Sequence, residues 1–148
     1  MKISVQQQDF DLNAEVRRIS GGGKVGAVAS FVGLVRDEPM TLEHYAGMTE
    51  REIGKIVEQA SARWKLIDVT VIHRYGELKP ADQIVLVAVA SAHRGEAFAA
   101  CEFIMDYLKT RAPFWKKEKR AGSAEWVEAK ASDDAAAERW DPPGRKAG

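Results

Sequence analysis

The residues of this sequence that could do chemistry are concentrated in one segment, Lys109–Arg120, with the sequence KTRAPFWKKEKR. The segment holds six basic residues against one acidic residue, a net charge of +5, whereas the 148-residue chain is formally neutral. A stiff, apolar turn at residues 113–115 divides it. Cations fixed on a rigid turn favour binding of an anion, and they stabilise negative charge that develops during a reaction.

Lys109 is the first of these cations, and its surroundings decide whether it can react. It follows Met105 by four residues on a helix predicted over Arg94–Lys109, so it lies at the margin of the helix face that we expect to be buried. A lysine there can extend its ammonium group into solvent, which would be a purely structural role. It can also be partly desolvated, and such a lysine can act as a general acid, general base or nucleophile. The spacing alone leaves both interpretations open.

A second candidate anion site lies where a predicted strand, Ile84–Ala90, meets the helix that begins with His93 and Arg94. An arginine at a helix N-terminus opposes the helix dipole, and a bound anion would offset that cost. The alternative is a solvated arginine beside a histidine that caps the helix. Arg36 is a further candidate for ligand binding, because it follows a predicted buried strand and loops at strand ends often carry ligand contacts.

The remaining reactive side chains favour structural roles. Cys101 is the only cysteine, which excludes an internal disulfide and a cysteine-based metal cluster. It falls, with Phe98, on the inner face of the predicted helix, and burial raises the pKa of a thiol, so we exclude Cys101 as a nucleophile. His44 and His73 lie on predicted strands without metal-ligand spacing, and we interpret both as structural. We expect no metal and no cofactor.

The composition is 45% hydrophobic and 30% charged, which is typical of a soluble globular protein. Neutrality and a pI near 6.8 argue against general nucleic-acid binding. No run approaches the roughly 20 apolar residues of a membrane span, and the N-terminus lacks the apolar region of a secretory signal. We therefore expect a cytoplasmic protein, with a single domain over residues 1–140 and a mobile tail over residues 141–148.

Hydrophobic patterns predict an α+β fold in which helices pack on a mixed or mostly antiparallel sheet. A capping box at Thr49 and Glu52 should start the middle helix, and Gly76–Asp82 should be a turn. In the third helix, Phe103 and Tyr107 should face away from the core and cover a second surface, such as a subunit interface. The strands are predicted over 3–5, 26–35, 41–45, 69–75, 84–90, 114–117 and 126–129, and the helices over 9–19, 49–64 and 94–109.

Five motifs, in order, resemble the large, catalytic subunit family of molybdopterin synthase. The likeness runs from about Gly26 to Ala129 and implies an α/β hammerhead-type domain with additional strands. The longest motif contains residues 109–118 of the basic segment. The motifs are FVGLVR (31–36), LEHYAGMTE (42–50), VIHRYGEL (71–78), SAHR (91–94) and FIMDYLKTRAPFWKKE (103–118).

The resemblance implies a sulfurtransferase that converts cyclic pyranopterin monophosphate into molybdopterin by installing two sulfurs as a dithiolene. The sulfur would arrive as a thiocarboxylate on the C-terminal Gly-Gly of a small ubiquitin-like subunit, whose tail enters a pocket of the large subunit. The assembly would be a heterotetramer built around a homodimer of large subunits. No reactive cysteine of the large subunit would be needed, since the partner brings the sulfur.

Residue by residue, the resemblance implies that Lys109 and Lys116 are catalytic and also contact the substrate. Arg36, His93 and Arg94 would contact the substrate phosphate and pterin, with His93 and Arg94 supplied by the opposite protomer. Further residues would line the site or shape its wall. The lining residues are Leu34, Val35, Lys117 and Glu118, and the pocket wall is Phe31 and Met105.

Two departures from the family pattern and two alternative functions stay open. The loop between Arg36 and Leu42 is shorter than in many relatives, and residues 119–124 form a polar insertion. The same basic pocket could serve a non-catalytic module that binds the acidic C-terminal tail of a small protein. A nucleotide- or RNA-binding domain that uses Trp115 is the other alternative, and the neutral net charge weighs against it.

Overall fold

The computed structural model describes residues 1–117 and 134–140. The strand predicted at 126–129, the site residue Glu118 and the tail at 141–148 lie outside the described residues, so the predicted division at residue 140 stays a prediction. A helical turn occupies 134–138. The elements are β1 (Lys2–Gln6), α1 (Leu12–Ile19), β2 (Ala27–Leu34), β3 (Met40–His44), α2 (Met48–Arg63), β4 (Asp68–Arg74), β5 (Gly76–Leu78), β6 (Gln83–Ser91), α3 (Arg94–Arg111) and β7 (Phe114–Lys116).

The larger sheet has four strands in the order β1-β4-β6-β2, with β1 parallel to β4 and the other pairs antiparallel. Strand β6 is central, as its uniformly apolar sequence predicted. Val87 points into a core shared with α2 and α3, and Leu86 points into a second core beneath α1. Because helices cover both faces, neither side of β6 needs polar residues. The prediction of a mixed α+β fold is confirmed.

The smaller sheet has three antiparallel strands in the order β5-β3-β7. Leu42 of β3 lies opposite Lys116, and His44 lies opposite Phe114. The prediction of a turn throughout Gly76–Asp82 is wrong in its first half, because residues 76–78 pair with β3 as strand β5. The turn itself is confined to residues 79–82. Sequence patterns identified β3 and β7 but not β5, since three residues carry too little periodicity.

Strand β2 is an edge strand rather than the buried strand that its apolar sequence predicted. Phe31 and Leu34 remain 43% and 55% exposed. The register shifts between Gly33 and Leu34, which marks a β-bulge. A Cβ atom at Gly33 would lie 2.8 Å from Val85 Cγ1, so the bulge requires glycine at this contact.

Helix α2 begins one residue before the predicted cap. Gly47, with φ of 83°, is the N-cap residue, and its N–H donates to Glu50 Oε1 at 2.8 Å. The predicted capping box at Thr49 and Glu52 is therefore wrong. Thr49 is fully buried instead; its Oγ1 accepts from the Tyr45 N–H at 3.2 Å and donates to the Pro113 carbonyl at 3.4 Å. The buried face of α2 is as predicted.

The predicted outer face of α3 is wrong. Phe103 is 2% exposed and Tyr107 is buried, whereas Phe98, predicted to face inward, is 65% exposed. The Phe103 ring packs edge-on against Trp64 of α2 and Trp140 of the 134–140 segment, at 5.4 and 5.6 Å between centroids. Helix α3 is covered on two sides, by the large sheet and by α2 together with residues 134–140. These aromatic residues therefore lie in the core and not at a subunit interface.

Among the described residues, none of the helices combines the length and apolar character needed to span a lipid bilayer.

Candidate functional site

One end of the four-stranded sheet gathers several of the predicted site residues. The register aligns Gly33, Val85 and His73 in one row across β2, β6 and β4. The chain leaving β2 toward Arg36 therefore starts at the same end of the sheet as His73. Helix α3 follows β6 after two residues and packs on β6, so it must run back along the sheet and bring Lys109 to this end.

One predicted catalytic lysine lies near His73, and the other follows the residue that stacks on this histidine. The charge of Lys109 acts on His73, and the His73 ring stacks on Phe114 with centroids 3.7 Å apart and planes 17° apart. Side chains alternate along a strand, so Lys116 lies on the same face of β7 as Phe114. Both lysines are exposed in the isolated chain. Residues 110–115 thus connect two exposed cations, one on α3 and one on β7.

Two further cations border this region. The Lys117 N–H donates to the Thr41 carbonyl at 2.8 Å, and its Nζ lies 3.9 Å from Glu43 Oε2. The Arg36 side chain is 90% exposed, with its Nε 3.5 Å from Asp37 Oδ2. Such exposed ion pairs contribute little, so both cations can exchange these partners for a bound anion. A pocket of about 550 Å³ lies beside Lys117, between β3 and residues 77–82.

The predicted lining residues differ in burial. Phe31 pairs with Val87, so it lies on the sheet face that carries α3, and Leu34 is exposed after the bulge. Val35 is buried in a small core with Leu42, and its N–H donates to the Asp82 carbonyl at 2.9 Å. Met105 is partly buried against the main core. Phe31 and Leu34 therefore present side chains to a ligand, whereas Val35 and Met105 mainly support the wall.

His93 and Arg94 lie at the other end of α3. Fifteen residues separate Arg94 from Lys109, which at 1.5 Å per residue is about 22 Å. His93 occupies the N-cap position but makes no side-chain capping hydrogen bond, so the structural explanation for it is not supported. Both side chains are exposed and line a pocket of about 510 Å³ with Gly26, Ala92 and Gly95. One chain therefore presents two separate cationic regions.

Gly26 shapes this second pocket, a role that sequence reasoning missed. Its N–H donates to the Ser91 carbonyl at 3.0 Å, and a Cβ atom would lie 2.1 Å from the Ala92 carbonyl oxygen. Since the obstacle is backbone, the connection that carries His93 would have to move. The signal in the sequence was a glycine beside a predicted strand end, which alone does not identify a close approach of two backbones.

We expect Gly26→Ala to lower the free energy of unfolding by about 1–3 kcal/mol, because the added methyl group cannot be accommodated without backbone movement. The matched control is Gly95→Ala in the first turn of α3, where a Cβ atom would meet nothing within 4 Å. Urea denaturation of the three proteins measures the effect. Equal destabilisation by both substitutions would contradict the close contact at Gly26.

His73 is neutral at neutral pH. Burial, with smaller contributions from the nearby charges of Lys109 and His44, lowers its pKa to about 4, while its hydrogen bond to the Arg74 carbonyl acts in the opposite direction. The ring Nδ1–H donates to that carbonyl at 2.9 Å, because a carbonyl can only accept. Nε2 is therefore the unprotonated nitrogen. The structural role predicted for His73 is compatible with this, but its proximity to Lys109 was missed.

Cys101 is inert, as predicted. Burial raises the pKa of its thiol to about 12, with a smaller contribution from Glu102, and the thiol donates to the Val87 carbonyl at 3.7 Å. Within residues 1–117 and 134–140, no three histidine, cysteine or acidic side chains come together as ligands for a metal ion. The cations of the described site are therefore not accompanied by a metal-binding cluster in this part of the chain.

Comparison with protein families and known proteins gives a consistent result. The family model described as "MoaE protein" matches residues 5–111. A molybdopterin synthase catalytic subunit from Ralstonia nicotianae is 60% identical over 146 residues, which cover 93% of this chain and 83% of the relative.

Two solved structures are similar in fold as well as sequence. A molybdopterin biosynthesis MoaE protein from Burkholderia ambifaria superposes with a TM-score of 0.83 at 52% identity, covering 94% of this chain and 97% of that one. A molybdopterin synthase from Staphylococcus aureus superposes with a TM-score of 0.72 at 29% identity, covering 78% and 88%. The likeness thus extends over nearly the whole fold described above.

Proposed function

The chain belongs to the MoaE protein family, and on that premise we propose that it is the catalytic subunit of a molybdopterin synthase. It would transfer sulfur to cyclic pyranopterin monophosphate and form the dithiolene of molybdopterin. The observation that supports the proposal is the charge of Lys109 beside His73, whose ring stacks on Phe114 of the strand that carries Lys116. This cluster matches the anionic character of every proposed reactant.

The proposed chemistry uses these cations in two ways. The substrate phosphate and the thiocarboxylate are both anions, and opening of the cyclic phosphate develops further negative charge that fixed cations stabilise. Lys109 would protonate a leaving oxygen or shuttle a proton during attack by the thiocarboxylate, as a positioned general acid. Lys116 would share that task, and Arg36 would hold the phosphate. Glu118 would line the site beside Lys117.

A second large subunit would complete each site. Within one chain, His93 and Arg94 lie about 22 Å along α3 from Lys109, at the opposite end of the helix. In a two-fold symmetric dimer, the same patch contributes to both sites, so the α3 N-terminus of one protomer would meet the Lys109 region of its partner. This arrangement would give a role to the pocket lined by Gly26, His93 and Arg94, which lies too far from Lys109 of the same chain to join its site.

The other partner would be a small ubiquitin-like subunit that delivers sulfur on its C-terminal Gly-Gly. Phe31 and Leu34, exposed on the edge strand β2, offer apolar surface beside the cationic cluster. A flexible tail that ends in an anion could pass along such a surface to reach Lys109 and Lys116. We place this reaction in the cytoplasm, where the neutral composition and the buried, reduced Cys101 raise no conflict.

The test is a reconstituted assay with this protein, cyclic pyranopterin monophosphate and a small subunit that ends in a Gly-Gly thiocarboxylate. We expect dithiolene product only when all three are present, and none when the small subunit ends in an ordinary carboxylate. Absence of product from correctly folded, complexed protein would reject the enzyme assignment. Tail binding without pterin binding would then indicate a non-catalytic binding module instead.

A further inference from the structure

An aromatic contact joins the two sheets at the candidate site. His73 belongs to β4 of the four-stranded sheet, and Phe114 belongs to β7 of the three-stranded sheet. Their rings stack at 3.7 Å between centroids, nearly parallel. His44, on the strand that pairs with β7, flanks the same stack, with its ring 6.0 Å from Phe114 and 4.4 Å from Tyr75. The position of β7 relative to the large sheet therefore depends on this contact.

Strand β7 is short, and few ring contacts orient it. It is three residues long and pairs with β3 only, among the described strands. Its other contacts include the Trp115 ring against Tyr45 at 4.7 Å, the 3.4 Å hydrogen bond from Thr49 to the Pro113 carbonyl, and packing of Phe114 on the main core. The first two tie β7 to the β3–α2 connection and to α2. The stack on His73 holds the Phe114 ring at the end of the sheet where Lys109 lies.

The His73 end of the contact is rigid. Its strand is paired on both sides, with Val5 of β1 and Val85 of β6 directly opposite. The ring orientation is set by the Nδ1–H hydrogen bond to the Arg74 carbonyl. Arg74 is itself held, because its guanidinium group donates to the carbonyls of Gln7 and Gln83 at 3.0 and 2.9 Å. A fixed ring can therefore impose a position on the shorter strand.

We propose that His73 is a positioning residue for sulfur transfer, and that its ring, by stacking on Phe114, sets the place of β7 and hence of Lys116 beside Lys109. This role presupposes the proposed function. The Lys116 side chain shares the Phe114 face of β7, so a shift of Phe114 moves Lys116 with it. The ring is neutral where it stacks, which suits a position close to the Lys109 ammonium group. Neither the family comparison nor the sequence motifs assign this role to His73.

Three substitutions distinguish the effect of the stacked His73 ring from the effect of its Nδ1 hydrogen bond. His73→Phe keeps a flat ring for the stack, His73→Asn keeps a hydrogen-bond donor near the Nδ1 position, and His73→Ala removes both. We expect His73→Ala and His73→Asn to lower kcat by on the order of tenfold to a hundredfold, because small misplacements of a catalytic group have effects of that size. KM should change much less, and His73→Phe should restore most of kcat. Activities are measured well below the unfolding temperature of each variant.

A readout independent of activity separates this proposal from the proposed function. Hydrogen–deuterium exchange of a peptide spanning residues 112–117 should speed up in His73→Ala and His73→Asn and stay near the wild-type rate in His73→Phe. Unchanged exchange in His73→Ala, or faster exchange with unchanged kcat, would overturn the positioning role. Equal loss of kcat in all three variants would also overturn it, since the stack would not be the cause. An inactive wild-type protein with the expected exchange pattern would instead reject the proposed function.

Discussion

Lys109→Ala is expected to lower kcat for dithiolene formation by on the order of a hundredfold to ten-thousandfold, the range for loss of a positioned general acid or base. The folded protein should be unaffected, because the Lys109 side chain is exposed and substitutions at such positions seldom change stability. The measurement is single-turnover product formation with saturating thiocarboxylated small subunit. Saturation matters because it separates the chemical step from assembly of the complex.

Two further variants make the result specific to Lys109. Lys109→Arg keeps the positive charge but cannot release a proton at neutral pH, so partial activity would indicate charge stabilisation and no activity would indicate proton transfer. Lys55→Ala is the matched control. Lys55 is an exposed lysine on α2, and its Nζ lies 3.0 Å from Glu52 Oε2. Near-normal turnover by Lys109→Ala would remove Lys109 from the reaction.

Mixing two inactive variants is expected to restore activity if each site is shared between protomers. Arg94→Ala should lower activity at least about tenfold, as expected for loss of a charge-assisted contact to a phosphate. When Arg94→Ala and Lys109→Ala subunits are unfolded together and refolded, half of the dimers hold one of each. One of the two sites in such a dimer has both residues intact, so about a quarter of wild-type activity should return.

The control for this experiment is a mixture of Lys109→Ala and Lys116→Ala. Both lysines lie at the His73 end of one chain, so every site in every mixed dimer lacks one of them and no recovery is expected. Affinity tags of two kinds show that mixed dimers have formed. Mixed dimers of Arg94→Ala and Lys109→Ala without recovered activity would contradict the shared site.

Features that depend on local pattern can be read from the amino-acid sequence. The uniformly apolar run in β6 predicts a central strand, because only a strand covered on both faces can omit polar residues. The apolar spacing of α2 predicts its buried face, including Ile53 and Ala60. The order of five motifs indicates the family, and the concentration of charge around Lys109 and Lys116 indicates a candidate anion site.

The inner face of α3 was predicted wrongly because a second surface, besides the large sheet, covers this helix. Helix α3 has apolar residues on more than one side, so periodicity cannot decide whether Phe98 or Phe103 faces the core. The answer depends on α2 and on residues 134–140, which are distant in sequence. Strand β2 is less buried than its sequence predicted. It is apolar but has no second neighbouring strand, so it stays partly exposed at Phe31.

Which candidate residues lie together depends on the tertiary structure. His73 and Phe114 are about forty residues apart in the chain, and no local pattern links them, yet their rings stack near Lys109. Conversely, Arg94 and Lys109 share one helix, and its rise places them about 22 Å apart. The sequence specifies the chemistry of each side chain, whereas proximity comes from long-range packing that periodicity does not encode. The basic segment therefore supplies the cations, and the fold brings Lys109 and strand β7 to the His73 end of the large sheet.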